Sequence, residues 1–496
     1  MSFNMPVELE KRICQLVISR LNGDQIRNDA YVQTLKDLVA KGVGGFIVFG
    51  GSRGELGDFI HELQSLAEVP LFIASDIERG VGQQIDGAGF LPCPMAMAAA
   101  LDRKNPEDAA LLRRALDGLA DEALDSGINM PLIPVMDVNQ EPDNPIICTR
   151  AFSDDPETVS WFGSEYIRAL EQAGLISCAK HFPGHGDTVT DSHIALPVIR
   201  KSLKELTGTD LAPFVKAVGT GVSSLMVGHL AVPCLDEIPA TFSRKIMQGL
   251  LREQMGFTGL IVTDALDMNA LNNYGDMPVK CLNAGADVLL HPADVSALVN
   301  RLLSAVASGE VVEDTVNKAV GRILKAKERL ARLPQREADY DGNRGLSSDI
   351  AGRSITLVKN TPGLLPLKGK NRAGLVVAGD PGLSSDSPLF SEFGGVDAAG
   401  SETVLVAIFT TVAAWRESSG ISNEERERIA AIIKKAKKSI LVSFGSPYVL
   451  RYFGEADILI AAYESTHQVQ ESVIKRLVGE KTFMGRLPVK LNGVGR

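Results

Sequence analysis

The chain is 496 residues long, too many for one ordinary core, so one large domain plus a smaller one is expected. Hydrophobic residues make up 45% and charged residues 23%, as in soluble globular proteins. A net charge of -10, with acidic and basic residues interspersed, argues against nucleic acid or an anionic membrane as the main partner.

At the N-terminus Glu8, Glu10, Lys11 and Arg12 interrupt the apolar run that a secretion signal needs. No stretch approaches the roughly 18 uncharged apolar residues of a membrane span. The 6 cysteines are scattered without a C-x-x-C pair, which fits reduced, buried thiols and a cytoplasmic location. Strand-length apolar runs follow at 15–18, 45–48, 71–74, 130–135, 176–179, 224–227, 260–262 and 287–290. Amphipathic segments such as 108–126 and 156–173 separate them, which is the βαβ pattern of a parallel sheet. An open doubly wound sheet is the alternative, but eight units favour closure into a TIM-type (β/α)8 barrel. The expected division is a catalytic barrel over 1–334, a polar linker over 335–352, and a smaller α/β sandwich over 353–496. In the last part strands are expected at 373–378, 403–408, 439–444 and 457–462, with helices at 424–438 and 468–478.

In such barrels the reacting groups cluster where strands end. Asp76, Asp137, Lys180 with His181, His229, Asp264 and His291 all fall just past or at the end of an apolar run. A single polar strand end is ordinarily a cap or turn residue, but this many together mark a pocket. The densest segment runs from Lys180-His181-Phe182-Pro183-Gly184-His185-Gly186 to Asp191-Ser192-His193. A metal site is one reading of it. Against that, Pro183, Gly184 and Gly186 force a tight loop rather than a ligand-bearing helix face, and Lys180 adds positive charge. Acid/base chemistry on a sugar is the other reading. It needs one group to protonate a leaving oxygen and one carboxylate to attack the sugar. Asp264 suits the nucleophile, although from this residue alone a helix N-cap is an equal reading. Asp191 and His193 suit the proton donor, because a carboxylate can hold one imidazole nitrogen while the other delivers its proton.

The same residues resemble glycoside hydrolase family 3, in its β-N-acetylglucosaminidase branch. The string 180–186 followed by Asp191-Ser192-His193 is specific to that branch. Family 3 β-glucosidases resemble it only at Lys-His and take their acid from a second domain. Val262-Thr263-Asp264, Asn144-Pro145 through Arg150-Ala151-Phe152, and Asp76-Ile77-Glu78-Arg79-Gly80 match further family elements. The resemblance covers 10–330 well and continues more weakly at 354–360, 445–448 and 485–489. It implies a retaining exo-β-N-acetylglucosaminidase, with Asp264 as nucleophile and an Asp191–His193 acid/base pair. Asp76, Arg150, Lys180 and His181 would hold the terminal sugar, and no cofactor or metal is implied. The family's Asp-Gln-Glu-Gly-Gly is Asp-Ile-Glu-Arg-Gly here, and Val81 and Gln84 stand where arginines usually follow. Either one sugar contact is lost or Arg79 supplies it.

Two other classes stand beside the glycosidase: a metal-dependent barrel hydrolase and a sugar-binding protein with a decayed site. A further alternative keeps the same site but uses phosphate as acceptor, since a neutral histidine repels an anion less than a carboxylate does. The expected partner is a small carbohydrate, an N-acetylglucosamine-containing oligosaccharide or muropeptide, consistent with cell-wall recycling. The aglycone is not readable from the residues.

Overall fold

Short apolar strands alternate with amphipathic helices from the first residues described, and the turns between them carry strong helix starts. The helices Pro106–Asp125 and Pro156–Gln172 each begin with an Asn or Asp cap followed by proline at the first helical position. The Asp155 side chain accepts from Thr158 N–H at the head of the second. The structure, a computed structural model, describes residues 3–333, 336–367, 373–380, 382, 387–394, 398, 401–413 and 418–492.

The first eight strands are β1 (Val17–Asn22), β2 (Gly45–Phe49), β3 (Phe72–Ser75), β4 (Met130–Pro131), β5 (Cys178–Phe182), β6 (Ser224–Val227), β7 (Leu260–Thr263) and β8 (Leu289–Leu290). All pair in parallel. They form two arcs, β4-β3-β2-β1-β8 and β5-β6-β7. Bridges Val135↔Lys180 and Val262↔Val288 close the two seams, so the strands form a (β/α)8 barrel. The β4 seam is thin because Pro131 and Pro134 have no N–H to give. Pro134 still accepts from Lys180 N–H at 3.1 Å.

The second sheet contains β9 (Thr356–Lys359), β10 (Gly374–Gly379), β11 (Thr403–Phe409), β12 (Lys438–Phe444) and β13 (Ile458–Ala461), in the order β10-β11-β12-β13-β9. Only β9 is antiparallel. β11 shows how it packs. Val404, Val406 and Ile408 join one apolar cluster, while Leu405, Ala407 and Phe409 join another on the opposite face. The first of these clusters also takes in Cys93, Met95, Ala96 and Ala99 of the barrel, so one face of this sheet is buried against the barrel.

The polar segment expected as a linker over 335–352 differs. It carries a helix, Tyr340–Ser354, that packs on the helices Pro94–Ala100 and Pro106–Asp125. Its buried positions are Ser347, Ile350, Ala351 and Ser354. Small side chains let the helix axes approach closely, and they leave almost no apolar periodicity in the sequence. The division placed between 334 and 335 falls on two residues outside those described. No described helix is long and apolar enough to cross a membrane.

Candidate active site

The C-terminal ends of the barrel strands surround a cavity of about 500 Å³. Asp76, Arg150, Lys180, His181, His193 and Asp264 all line it. Asp191 does not; it lies buried directly behind His193.

Lys180 is fully buried, and its ammonium contacts Asp76 Oδ1 at 2.5 Å and Glu78 Oε1 at 2.8 Å. Arg150 grips the same Glu78 with two bonds, Nε to Oε2 and Nη2 to Oε1, both 2.8 Å. Burial disfavours the Glu78 charge, but the guanidinium and ammonium outweigh it and hold the carboxyl below its ordinary range. Burial likewise opposes the charge on Lys180, and Asp76 and Glu78 reverse it, so the ammonium stays protonated. Glu78 is thus the anchor of the two cations expected to bind sugar, a role not assigned from the sequence. The available signal was its spacing: Glu78 lies two residues beyond Asp76, in the turn that follows the same strand.

Asp264 follows β7. Its N–H donates to Val227 O at 3.1 Å, and its Oδ1 accepts from Ala265 N–H at 2.9 Å. Burial would raise its pKa, but His229, His181, that N–H bond and His193 bring it below the ordinary value. Asp264 is therefore a carboxylate at neutral pH, half-buried at the cavity wall. His229 is held on both sides, by Thr241 Oγ1 at 2.8 Å and Ala265 O at 3.0 Å, and burial keeps it neutral.

Three histidines of the 180–193 segment each have a separate partner. His181 Nδ1 lies 2.8 Å from Asp137 Oδ2. His185 Nε2 lies 3.1 Å from Ser192 Oγ, tying the tight turn to the loop above it. His193 Nδ1 lies 2.8 Å from Asp191 Oδ1, which also accepts the His193 N–H at 2.8 Å. Asp137 takes the His185 N–H as well, at 2.7 Å, so it anchors the whole turn. Among the described residues no three His, Cys, Asp or Glu side chains converge as metal ligands do. Gly186 packs where a Cβ would stand 1.8 Å from Val138 O, which explains a glycine in this turn.

The second domain reaches the mouth. Val412 and Ala413 line the cavity. Arg79 pairs with Glu464 at 2.6 Å, and Glu464 also accepts Cys93 N–H at 3.0 Å. Arg79 therefore ties the two domains together at the cavity edge, and it also lines the cavity. Tyr448 OH accepts from Asn139 Nδ2 at 2.8 Å, and Ser419 Oγ donates to Asn144 O at 2.9 Å. Asn144 in turn caps the N–H groups of Ile146 and Ile147, just ahead of Arg150.

A closed (β/α)8 barrel with a carboxylate and a carboxylate-backed histidine at its C-terminal mouth has the groups that acid/base chemistry on a glycosidic bond needs. The comparisons place it. The sequence profile of the glycosyl hydrolase family 3 N-terminal domain matches residues 8–326, and the chain belongs to that family. A Cellulomonas fimi protein named β-N-acetylglucosaminidase/β-glucosidase is 27% identical over 505 residues, covering 90% of this chain and 88% of its own. A Xylella fastidiosa β-hexosaminidase is 36% identical over 286 residues, 56% of this chain and 82% of its own. Among solved structures, a family 3 β-N-acetylglucosaminidase from Paenibacillus sp. str. FPU-7 superposes with a TM-score of 0.84 at 28% identity, covering 98% of this chain and 99% of that one. A β-glucoside phosphorylase shares the fold, with a TM-score of 0.86 at 22% identity, covering 98% of this chain and 95% of that one.

Proposed function

We propose that this glycoside hydrolase is a retaining exo-β-N-acetylglucosaminidase. The observation that carries the reading is His193 at the cavity wall, with its Nδ1 2.8 Å from the buried Asp191 carboxylate. The carboxylate accepts, so Nδ1 carries the proton, and Nε2 is the nitrogen that exchanges one with substrate. In the first step the Asp264 carboxylate attacks the anomeric carbon while His193 Nε2 gives its proton to the departing oxygen. In the second step the now neutral imidazole takes a proton from water as water displaces Asp264. Two inversions return the β-anomer. Asp76, Arg150, Lys180 and His181 hold the terminal sugar. Relatives named for N-acetylglucosamine and hexosamine support that sugar. We take the substrate to be a small soluble glycan, an N-acetylglucosamine oligosaccharide or muropeptide, handled in the cytoplasm during cell-wall recycling. The barrel over 1–334 carries the chemistry, and 353–496 supplies one wall of the mouth.

The test is release of nitrophenol from 4-nitrophenyl β-N-acetylglucosaminide, with early product followed by proton NMR. The expected first product is the β-anomer, and a 2-deoxy-2-fluoro glycoside should leave a covalent adduct on Asp264. An α-anomer as first product overturns the double displacement. An active Asp264→Ala enzyme overturns the nucleophile.

Phosphate as acceptor is the second reading, favoured by a histidine where a carboxylate would repel an anion. Two features weigh against it. Gly184 and His185 N–H groups are spent on His181 O and Asp137, so they offer no anion nest. Lys180 and Arg150 are already balanced by Glu78. Product analysis in phosphate against a non-nucleophilic buffer at equal ionic strength decides it: N-acetylglucosamine 1-phosphate would establish the phosphorylase reading.

A further inference from the structure

Four cations line the cavity: Arg20, Arg79, Arg150 and Lys180. Three are balanced, Lys180 by Asp76 and Glu78, Arg150 by Glu78, and Arg79 by Glu464. Arg20 differs. It sits in β1, in register with Ile47 of β2, and its side chain is exposed into the mouth. Its guanidinium lies 5.1 Å from the ring centroid of Phe49, and no carboxylate pairs with it among the described residues. Asp267, the nearby acid, has its Oδ1 3.3 Å from His291 Nδ1. While the cavity holds water, an exposed guanidinium is well solvated. A sugar that fills the cavity expels that water and leaves the guanidinium with no carboxylate in direct contact, unless the sugar brings one.

β1 is flanked by β2 and β8, and counting either way β5 lies four strands off, directly opposite. His193 stands on the loop that leaves β5, across the barrel from Arg20. Arg20 thus lies on the wall opposite the loop that carries the proton donor. We infer that Arg20 forms a subsite for a negatively charged group, a phosphate ester or carboxylate, on the terminal sugar. The guanidinium matches either oxyanion with a two-pronged hydrogen bond, and stacking on Phe49 fixes its plane. This deepens the glycosidase reading and rests on it for the sugar.

The test compares 4-nitrophenyl β-N-acetylglucosaminide with its 6-phosphate and its C6-carboxylate analogue, and with a disaccharide bearing a carboxylate on the leaving sugar. Wild-type enzyme should prefer one or both analogues charged on the terminal sugar by about tenfold or more in kcat/KM. The two analogues separate phosphate from carboxylate as the natural group. Arg20→Gln should erase the charged-to-neutral ratio, and Arg20→Lys should restore part of it. Calorimetric titration with N-acetylglucosamine 6-phosphate against N-acetylglucosamine reads the subsite without turnover. No turnover of any substrate, with that binding preference intact, would sink the glycosidase reading and leave the subsite standing. Equal use of charged and neutral sugars, a ratio unmoved by Arg20→Gln, or a preference for charge on the leaving sugar would overturn the subsite.

Discussion

The Asp191 carboxylate accepts both the backbone N–H and Nδ1 of His193 at a single oxygen, each at 2.8 Å. Backbone and ring are thus fixed together, which sets the imidazole plane and its tautomer. His193→Ala should cost on the order of 10²–10⁴ in kcat/KM for poor leaving groups, and far less for activated phenols that hardly need protonation. Asp191→Asn should follow the same trend more mildly, because the ring survives with a poorer orientation. A leaving-group series measured on both variants checks this. Equal losses on good and poor leaving groups would mean that His193 acts in binding.

Glu78 is the counter-charge for two cations at once, so neutralising it leaves Arg150 and Lys180 with one carboxylate, Asp76, between them. In Glu78→Gln the half-buried Arg150 keeps one amide oxygen as acceptor but loses its counter-charge, while Lys180 keeps Asp76 alone. A cost of roughly 3–5 kcal/mol in folding stability is expected, with a drop in kcat/KM as both cations relax. Urea unfolding alongside kinetics reads both effects. A variant as stable as wild type would show that Arg150 and Lys180 find their balance elsewhere.

Arg79 and Glu464 join the domains at the cavity edge, with Glu464 buried and Arg79 partly exposed to solvent. Solvent screening on the arginine side limits the pair to about 1 kcal/mol of coupling in a double-mutant cycle of Arg79→Ala and Glu464→Ala. Glu464→Ala alone should cost more than Arg79→Ala, because Cys93 N–H also loses its acceptor. The reverse order in thermal unfolding would place the weight of the contact on the arginine.

Much of the barrel is written in local pattern. Asp264 at the end of Leu260–Thr263 and Lys180-His181 within Cys178–Phe182 stand where strand-end reasoning puts them. The strands 403–408 and 439–444 are almost wholly buried and rich in Val, Ile and Leu, and they too are legible at close to their observed bounds. Long-range partnerships are not. Glu78 reaches Arg150 across 72 residues, and Glu464 reaches Cys93 across 371, spacings on which local chemistry is silent. The helix Tyr340–Ser354 was hidden for a different reason: it packs through serine and alanine, so a buried face reads as polar. Strand β9 is short, half-buried and antiparallel at a sheet edge, and shows little alternation.

Lys327 gives the last prediction, at the end of the barrel away from the site. It is fully buried on the helix Glu313–Leu330 and donates to Gln15 Oε1 at 2.9 Å and to Gly44 O at 2.8 Å, just ahead of β2. It lies 4.8 Å from the Phe72 ring centroid, and no carboxylate pairs with it among the described residues. Burial alone pushes its pKa down from 10.5 to about 7. Below pH 7 the folded and unfolded chains both carry the charge, and the fold bears the full cost of burying it. Between pH 7 and 10.5 the unfolded chain holds a proton that the folded chain has shed, so stability rises with pH across that window. Lys327→Met lacks this titration. Going from pH 7 to pH 9, wild type should gain roughly 2–3 kcal/mol relative to Lys327→Met in urea unfolding. Parallel pH profiles for the two proteins would mean that Gln15, Gly44 and the Phe72 face keep the ammonium charged inside the fold.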